Sequence, residues 1–298
     1  MATGSAGSVW AGDVEVGGTE LRKEVVDIVI KGRADPTYKW KQAVAISKTN
    51  ANKNTFWRED PDSLDEPAGG SIKGIPRGGD FPQGTVQWEE HTAVLQKYGF
   101  RDFVFWEDIR TNDINVMKRT IYKITDKTIK TVDEEIKDIL SEGGTPVDIQ
   151  SVTITGSRRW AASSAAIMDD MMHAKQLIGE KDYDTSNLMM FISEQDHRNM
   201  VNYIYEKGAQ APSFGTEVAK NGRVGGLAGI KNIVVTNSLK NASFALVVVP
   251  KVCGTWKENF ALSSDLTSEP FKGTRVTVCE VGVTQLTDPK AICMIKDT

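Results

Sequence analysis

Asp169 and His173 stand one helical turn apart, a spacing at which a carboxylate and an imidazole share a face and can hold a metal ion. The stretch that carries them, Trp160 to Ile178, has helical apolar spacing, with Ala165, Met168, Met171 and Met172 expected on its buried side. A solvated polar face is therefore the competing reading of Asp169 and His173. His91 and His197 fall in other predicted elements and receive no role. Glycines 222, 225, 226 and 229 could cradle a phosphate, but such loops sit between a strand and a helix start. These glycines instead run into the strand-like Ile230 to Leu239 with no Gly-Lys-Ser/Thr, so a close-packed or flexible loop is expected. Arg158 and Arg159 can meet a phosphate or a neighbour's carboxylate, or lie in a solvated turn. Cys253, Cys279 and Cys293 form no C-x-x-C pair and read as small core residues of a reducing compartment. With no nucleophile elbow or H-E-x-x-H motif either, no catalytic, cofactor-binding or metal residue is assigned, and no cofactor is expected.

The elements around these residues are unevenly built. The first twenty residues, MATGSAGSVWAGDVEVGGTE, hold too few large apolar side chains to offset the entropy of ordering them, and read as an arm. Apolar clusters between Leu21 and Ile46 flank a break at Asp35-Pro36. Ser47 to Gly84 carries four prolines and no periodic apolar face. Between strand-like flanks at Ala43 to Ser47 and Thr85 to Trp106, it reads as a long hairpin projecting from the body. A helix is predicted from Thr111 to Glu142, stopped by Gly143 and Gly144; at ~1.5 Å per residue it would be roughly 48 Å long. Its apolar steps of three and four are interrupted between Ile124 and Ile129, which argues against a coiled coil.

Beyond it, strands are predicted at Asp148 to Thr155 and Asn187 to Ile192. A helix follows the second, with Ser193 as cap, Asp196 three residues on, and Gly208 as stop. Four strand-like runs close the chain: Asn232 to Leu239, Ser243 to Lys251, Thr274 to Gln285 and Lys290 to Lys296. The class is α+β.

Composition narrows the function classes. With 298 residues and a net charge of −4, the chain can bury a sizeable core but has no overall basic field to draw nucleic acid. Neither a signal peptide nor an apolar run long enough to span a membrane is expected.

The order of parts resembles the Hong Kong 97-type fold of tailed-phage major capsid proteins. The stretches that carry the resemblance are WEEHTAVLQKYGFRDFVFWEDI leading into the long helix, NLMMFISEQDHRNMVNYI as strand and capped helix, GGLAGIKNIVVTNSL as glycine loop and strand, and VGVTQLTDPKAICMI as closing strands. The resemblance implies an N-arm over 1–35 and an extended-loop hairpin with flanking strands over 36–108. It further implies a peripheral domain with a spine helix over 109–146, an axial domain over 147–245, and strands returning to the peripheral domain over 246–298. It also implies a non-enzymatic subunit assembling with itself into hexamers and pentamers of an icosahedral shell, which encloses double-stranded DNA without sequence-specific binding.

Portal, scaffold and decoration proteins are implied partners, the virion the implied location, and the host cytoplasm the site of assembly. Trp10, Phe56 and Trp57 are then candidate contact aromatics. A large amino-terminal scaffolding domain is not expected. Lys73 lies in the loop, but no Asn and Glu match the residues with which some members form a crosslink, and none is assigned. Two alternatives stand beside this reading. One is an encapsulin-like nanocompartment shell; the other is a soluble α+β metal-dependent enzyme centred on Asp169, His173 and the glycine loop.

Overall fold

The computed structural model describes residues 38–59, 88–111, 116–162, 164–207 and 227–298, together with 28, 30, 73, 75 and 77–80. In chain order these form β1 (Ala45–Lys48), β2 (Lys53–Glu59), β3 (Trp88–Val94), β4 (Gln96–Phe105), α1 (Trp106–Thr111), α2 (Val116–Leu140), β5 (Gln150–Thr153) and α3 (Ile167–Gly179). There follow β6 (Met189–Ile192), α4 (Glu194–Lys207), β7 (Asn232–Val235), β8 (Phe244–Val248), β9 (Gly254–Glu269), β10 (Gly273–Leu286) and β11 (Ile292–Lys296). The chain divides into one unit of residues 1–38, 96–132 and 260–282 and a second of 39–95, 133–259 and 283–298, the division falling within α2, β9 and β10.

In the first unit, β10 runs antiparallel to β4 with Gly273 opposite Phe105 and Gly282 opposite Gln96. Residues directly opposite share a face, and one face buries Tyr98, Val104, Val276, Val278 and Glu280. The Tyr38 hydroxyl donates to the Glu280 carboxylate, so that buried acid is hydrogen-bonded. Gly273 holds φ +147, and a Cβ there would fall 2.1 Å from the Val104 carbonyl oxygen, which is why the strand opens on glycine.

Helix α2 turns Ile121, Ile124, Ile129 and Val132 inward. The gap in apolar spacing after Ile124 is filled by Thr125 and Thr128, both buried, whose hydroxyls donate to the Ile121 and Ile124 carbonyls at 2.7 and 3.0 Å. Bonding back to the preceding turn lets a hydroxyl serve on an apolar face. The helix is shorter than the sequence predicts. It stops at Leu140, because Glu142, Gly143 and Gly144 all take positive φ, and its 25 residues span about 38 Å.

The second unit centres on a five-stranded sheet in the order β5-β11-β8-β6-β7. Its middle strands, β6, β8 and β11, are almost wholly buried, as continuous apolar runs such as MMFI require. α3 lies against β11 and β5. It begins at Ile167 rather than Trp160. Trp160 is instead buried in a turn, its indole N–H donating to the Asp170 carboxylate at 3.2 Å. Met171 is buried as predicted, but Met168 and Met172 face outward. α4 starts as its sequence announces: the Ser193 hydroxyl accepts from the Asp196 N–H at 3.0 Å and donates to the Asp196 carboxylate at 2.7 Å. Strand β9, 16 residues long, falls where the sequence predicts no strand.

Trp40 plugs this unit. Fully buried, it stacks on Phe191 of β6 with ring centroids 4.0 Å apart and donates its indole N–H to the Ser238 hydroxyl at 2.7 Å. The short 3-10 turn that carries it, Trp40–Gln42, has no cap from its own side chains. Asp133 of α2 supplies one by accepting from the Lys39 N–H at 2.9 Å. Burial pushes the Asp133 carboxyl up to about 6, against backbone donors and Lys41 that pull it down.

A carboxyl that binds its proton more tightly when folded adds stability below the unfolded value near 3.8, and loses it as pH rises to about 6. At neutral pH the ionised group should cost on the order of 2 to 3 kcal/mol. Asp133→Asn keeps the accepting oxygen and cannot ionise. Its unfolding free energy, measured by urea titration, should therefore fall less than that of the natural chain between pH 4 and 7. Burial also raises the carboxyls of Asp170 and Asp196, so the difference between the two proteins is the reading that isolates Asp133. Identical pH profiles would assign the dependence elsewhere.

Candidate assembly surfaces

Strands β2 and β3 pair with each other and, among the described residues, with no other strand. Their register sets Lys53 opposite Val94, Phe56 opposite His91, Trp57 opposite Glu90 and Glu59 opposite Trp88. Since alternate residues face alternate sides, Trp57, Trp88 and Val94 share one face, with the two indoles as diagonal neighbours. All three are more than half exposed: 59 %, 57 % and 58 %. On the other face Phe56 stacks on His91 at 5.6 Å between centroids, and His91 meets the Glu89 carboxylate at 3.2 Å.

A two-stranded sheet standing alone is marginal in water, and this one presents apolar rings to it. Arg58 holds the hairpin to its own unit through an ion pair with Asp148. Asp148 is itself fixed by the Glu142 carboxylate, which accepts its N–H at 3.1 Å. The base is closed by the Leu95 N–H donating to the Asn52 carbonyl at 3.0 Å. Covering both indoles would remove on the order of 250 Å² from water, worth about 6 kcal/mol before the entropic costs of association.

The most exposed aromatic among the described residues stands in the other unit. Phe271, in the turn between β9 and β10, is 86 % exposed and holds φ +61, a backbone region that a bulky residue enters at a cost. Of the three aromatics singled out from the sequence, Trp57 is exposed, Phe56 is half-buried beneath His91, and Trp10 lies outside the described residues. Sequence reading passed over Trp88, because its exposure follows only from the pairing register. Phe271 was missed because no hairpin was expected around it.

The residues considered for chemistry are otherwise engaged. The Arg158 guanidinium bonds the Asp169 and Asp170 carboxylates at 2.8 and 3.0 Å, and Arg159 reaches Asp297 at 3.4 Å. That pair therefore serves carboxylates of its own chain. Asp169 is held by Arg158, and His173 stands exposed on α3. Among the described residues no group of three or more His, Cys, Asp or Glu is placed to hold a metal ion. The end of the glycine run is a tight turn in which Leu227 and Ile230 exchange backbone hydrogen bonds around Ala228 and Gly229, both at positive φ. It leads into β7 rather than a helix, so these N–H groups have no helix start to join; glycines 222, 225 and 226 lie outside the described residues. Cys253 and Cys293 are buried free thiols, and burial pushes both up to about 12. Cys279 is partly buried.

A family model described as phage capsid protein matches residues 88–295. Among solved structures the chain is similar to the capsid of the cyanophage P-SCSP1u, with a TM-score of 0.67 and 13 % identity, covering 87 % of this chain and 88 % of that one. It is also similar to the mature capsid of bacteriophage PhiM1, with a TM-score of 0.61 and 12 % identity, covering 87 % and 86 %. A virus-like particle from Pyrococcus furiosus gives a TM-score of 0.60 and 12 % identity, covering 90 % and 97 %. No curated protein sequence matches the chain. At these identities the likeness is one of fold, and it is the fold the sequence led us to expect.

Proposed function

Because the chain belongs to the phage capsid protein family, we propose that this major capsid protein assembles with copies of itself into the hexamers and pentamers of an icosahedral shell, which encloses a viral double-stranded DNA genome. The observation that carries the reading is the β2–β3 hairpin, paired with no other strand among the described residues and bearing Trp57 and Trp88 on one open face. A second copy lying under that face would stabilise it, and closed symmetric assembly supplies such a copy to every subunit. On this reading residues 1–35 form the N-arm, 36–108 the extended loop with its flanking strands, and 109–146 the peripheral domain with α2 as spine. Residues 147–245 form the axial domain, and 246–298 return to the peripheral domain. The shell's further partners are portal, scaffold and decoration proteins, its location is the virion, and its assembly takes place in the host cytoplasm.

Electron microscopy of the purified protein under assembly conditions tests the proposal. Closed particles of megadalton mass are expected, and a homogeneous monomer or dimer under every condition would overturn it. Nuclease-protected DNA inside particles from producing cells supports the genome; a protein cargo in its place would make the shell a nanocompartment. Trp57→Ser with Trp88→Ser should abolish particles while leaving the melting temperature of the unassembled subunit within a few degrees of the natural chain. Unimpaired assembly would remove this face from the shell contacts.

A further inference from the structure

The long helix α2 divides its charge along its length. Residues 116–132, all in the first unit, carry Lys118, Arg119, Lys123, Lys127 and Lys130 against one carboxylate, Asp126. Residues 133–140 carry Asp133, Glu134, Glu135 and Asp138 against Lys137 alone. A helix favours anions toward its N-terminus and cations toward its C-terminus, by about 0.3 to 1 kcal/mol each. Arg119, Lys123 and Lys127 also repeat like charge at i, i+4, which costs a few tenths of a kcal/mol per pair. The effect is confined to the end turns, so Lys118 and Arg119 oppose the dipole at the start, while Lys137 and Asp138 offset each other at the end.

All five cations are exposed, and Arg119, Lys123, Lys127 and Lys130 form a stripe away from the buried one of Ile121, Ile124, Thr125, Thr128, Ile129 and Val132, whereas Lys118 stands in line with Thr125 and Val132 in the first turn. Two of them are steadied by rings: the Lys127 ammonium sits 4.8 Å from the Phe100 centroid and Lys118 sits 5.6 Å from Tyr122. A ring orients an ammonium without cancelling its charge. From Arg119 to Lys130 the stripe runs about 17 Å along the helix. B-form DNA carries one charge per ~1.7 Å of axis, so the stripe spans about ten of them.

We propose that this stripe is the surface through which the assembled subunit meets the phosphates of the enclosed double-stranded DNA, and that α2 therefore faces the shell interior. The inference rests on the shell reading above. Three of the four cations in the stripe are lysines, point charges that do not read base edges, so the contact is sequence-independent and salt-sensitive. The chain's net charge of −4 keeps single subunits weak binders, while many copies on one inner wall sum their attraction.

The test compares the full chain with the variant Arg119→Gln, Lys123→Gln, Lys127→Gln, Lys130→Gln, using a short fluorescent DNA duplex and unassembled protein at low salt. Loss of four phosphate contacts should weaken binding by roughly 100-fold or more and flatten the slope of log affinity against log salt by about 3 to 4. A second measurement uses Lys123→Cys with a maleimide polymer too bulky to enter a shell, and the natural chain as background. Intact particles should resist labelling that disassembled subunits accept. Equal duplex binding by the two proteins, or ready labelling of intact particles, overturns the proposal; outside labelling would point to an acidic protein partner. In both cases the particles themselves uphold the shell reading, which fails only if the natural chain makes none.

Discussion

Excising residues 53–94 and joining Asn52 to Leu95 through two glycines is expected to leave a folded subunit that forms no shells. The join is short because the two ends already touch, the Leu95 N–H donating to the Asn52 carbonyl at 3.0 Å. Little of the core goes with the excised segment. Its described strands contribute no residue to the buried apolar set, and β1 keeps its parallel pairing with β9, from Ala45 opposite Thr255 to Lys48 opposite Glu258. Removing the Arg58 to Asp148 pair leaves Asp148 about half exposed in its side chain and able to meet water, so that loss should cost at most about 1 kcal/mol. Assembly is affected far more, because the paired indoles of the hairpin leave with it. Urea unfolding and size-exclusion chromatography of the same preparation read the two effects separately. A protein that still closes into particles, or one that no longer folds, would each contradict the division of labour described for the hairpin and the body.

Trp40→Ala is expected to have the largest effect on the fold itself. The substitution empties a fully enclosed site, removes the ring stacked on Phe191 and deletes the bond to Ser238. Large-to-small changes of an aromatic residue in a core typically cost about 3 to 5 kcal/mol, a large share of the roughly 5 to 15 kcal/mol that holds a domain together. Ser238 keeps a partner in the Thr236 hydroxyl at 2.8 Å, so the loss is chiefly one of packing. Trp40→Phe, which restores a ring but not the N–H, should recover most of it. Urea unfolding of the unassembled subunit checks both, and an alanine variant within about 1 kcal/mol of the natural chain would show that Trp40 is not the plug its burial describes.

Much of this architecture can be read from residue patterns, and the exceptions share physical causes. The hairpin was only partly legible: the expected flank at Ala43 to Ser47 pairs with β9 instead, and the flank at Thr85 to Trp106 divides into β3 and β4. β2 lies inside the stretch expected to hold no strand, whose prolines fall outside the described residues. β9 was invisible. GTWKENFALSSDLTSE buries Trp256, Leu262 and Ser264 but leaves many side chains exposed, and the strand is held by backbone ladders to β1 and β10 that no side-chain pattern announces. The start of α3 was placed early because Ala-rich residues after Trp160 favour helix, whereas the indole's bond to Asp170 holds that segment in a turn. Thr125 and Thr128 looked like a gap in the apolar face until their hydroxyls were seen to bond within the helix. The exposed aromatics were half legible: Trp57 stands out within a polar loop, but which neighbours share its side depends on strand register.

The sheet order also sets a schedule for synthesis. β11, residues 292–296, follows every other described strand, yet it lies between β5 and β8, parallel to one and antiparallel to the other. Until those residues have left the ribosome, β5 has no strand beside it and the inner edge of β8 stays open. The sheet is therefore completed only once residues 292–296 have emerged, long after β5, which delays self-association through this unit while the subunit is still being made.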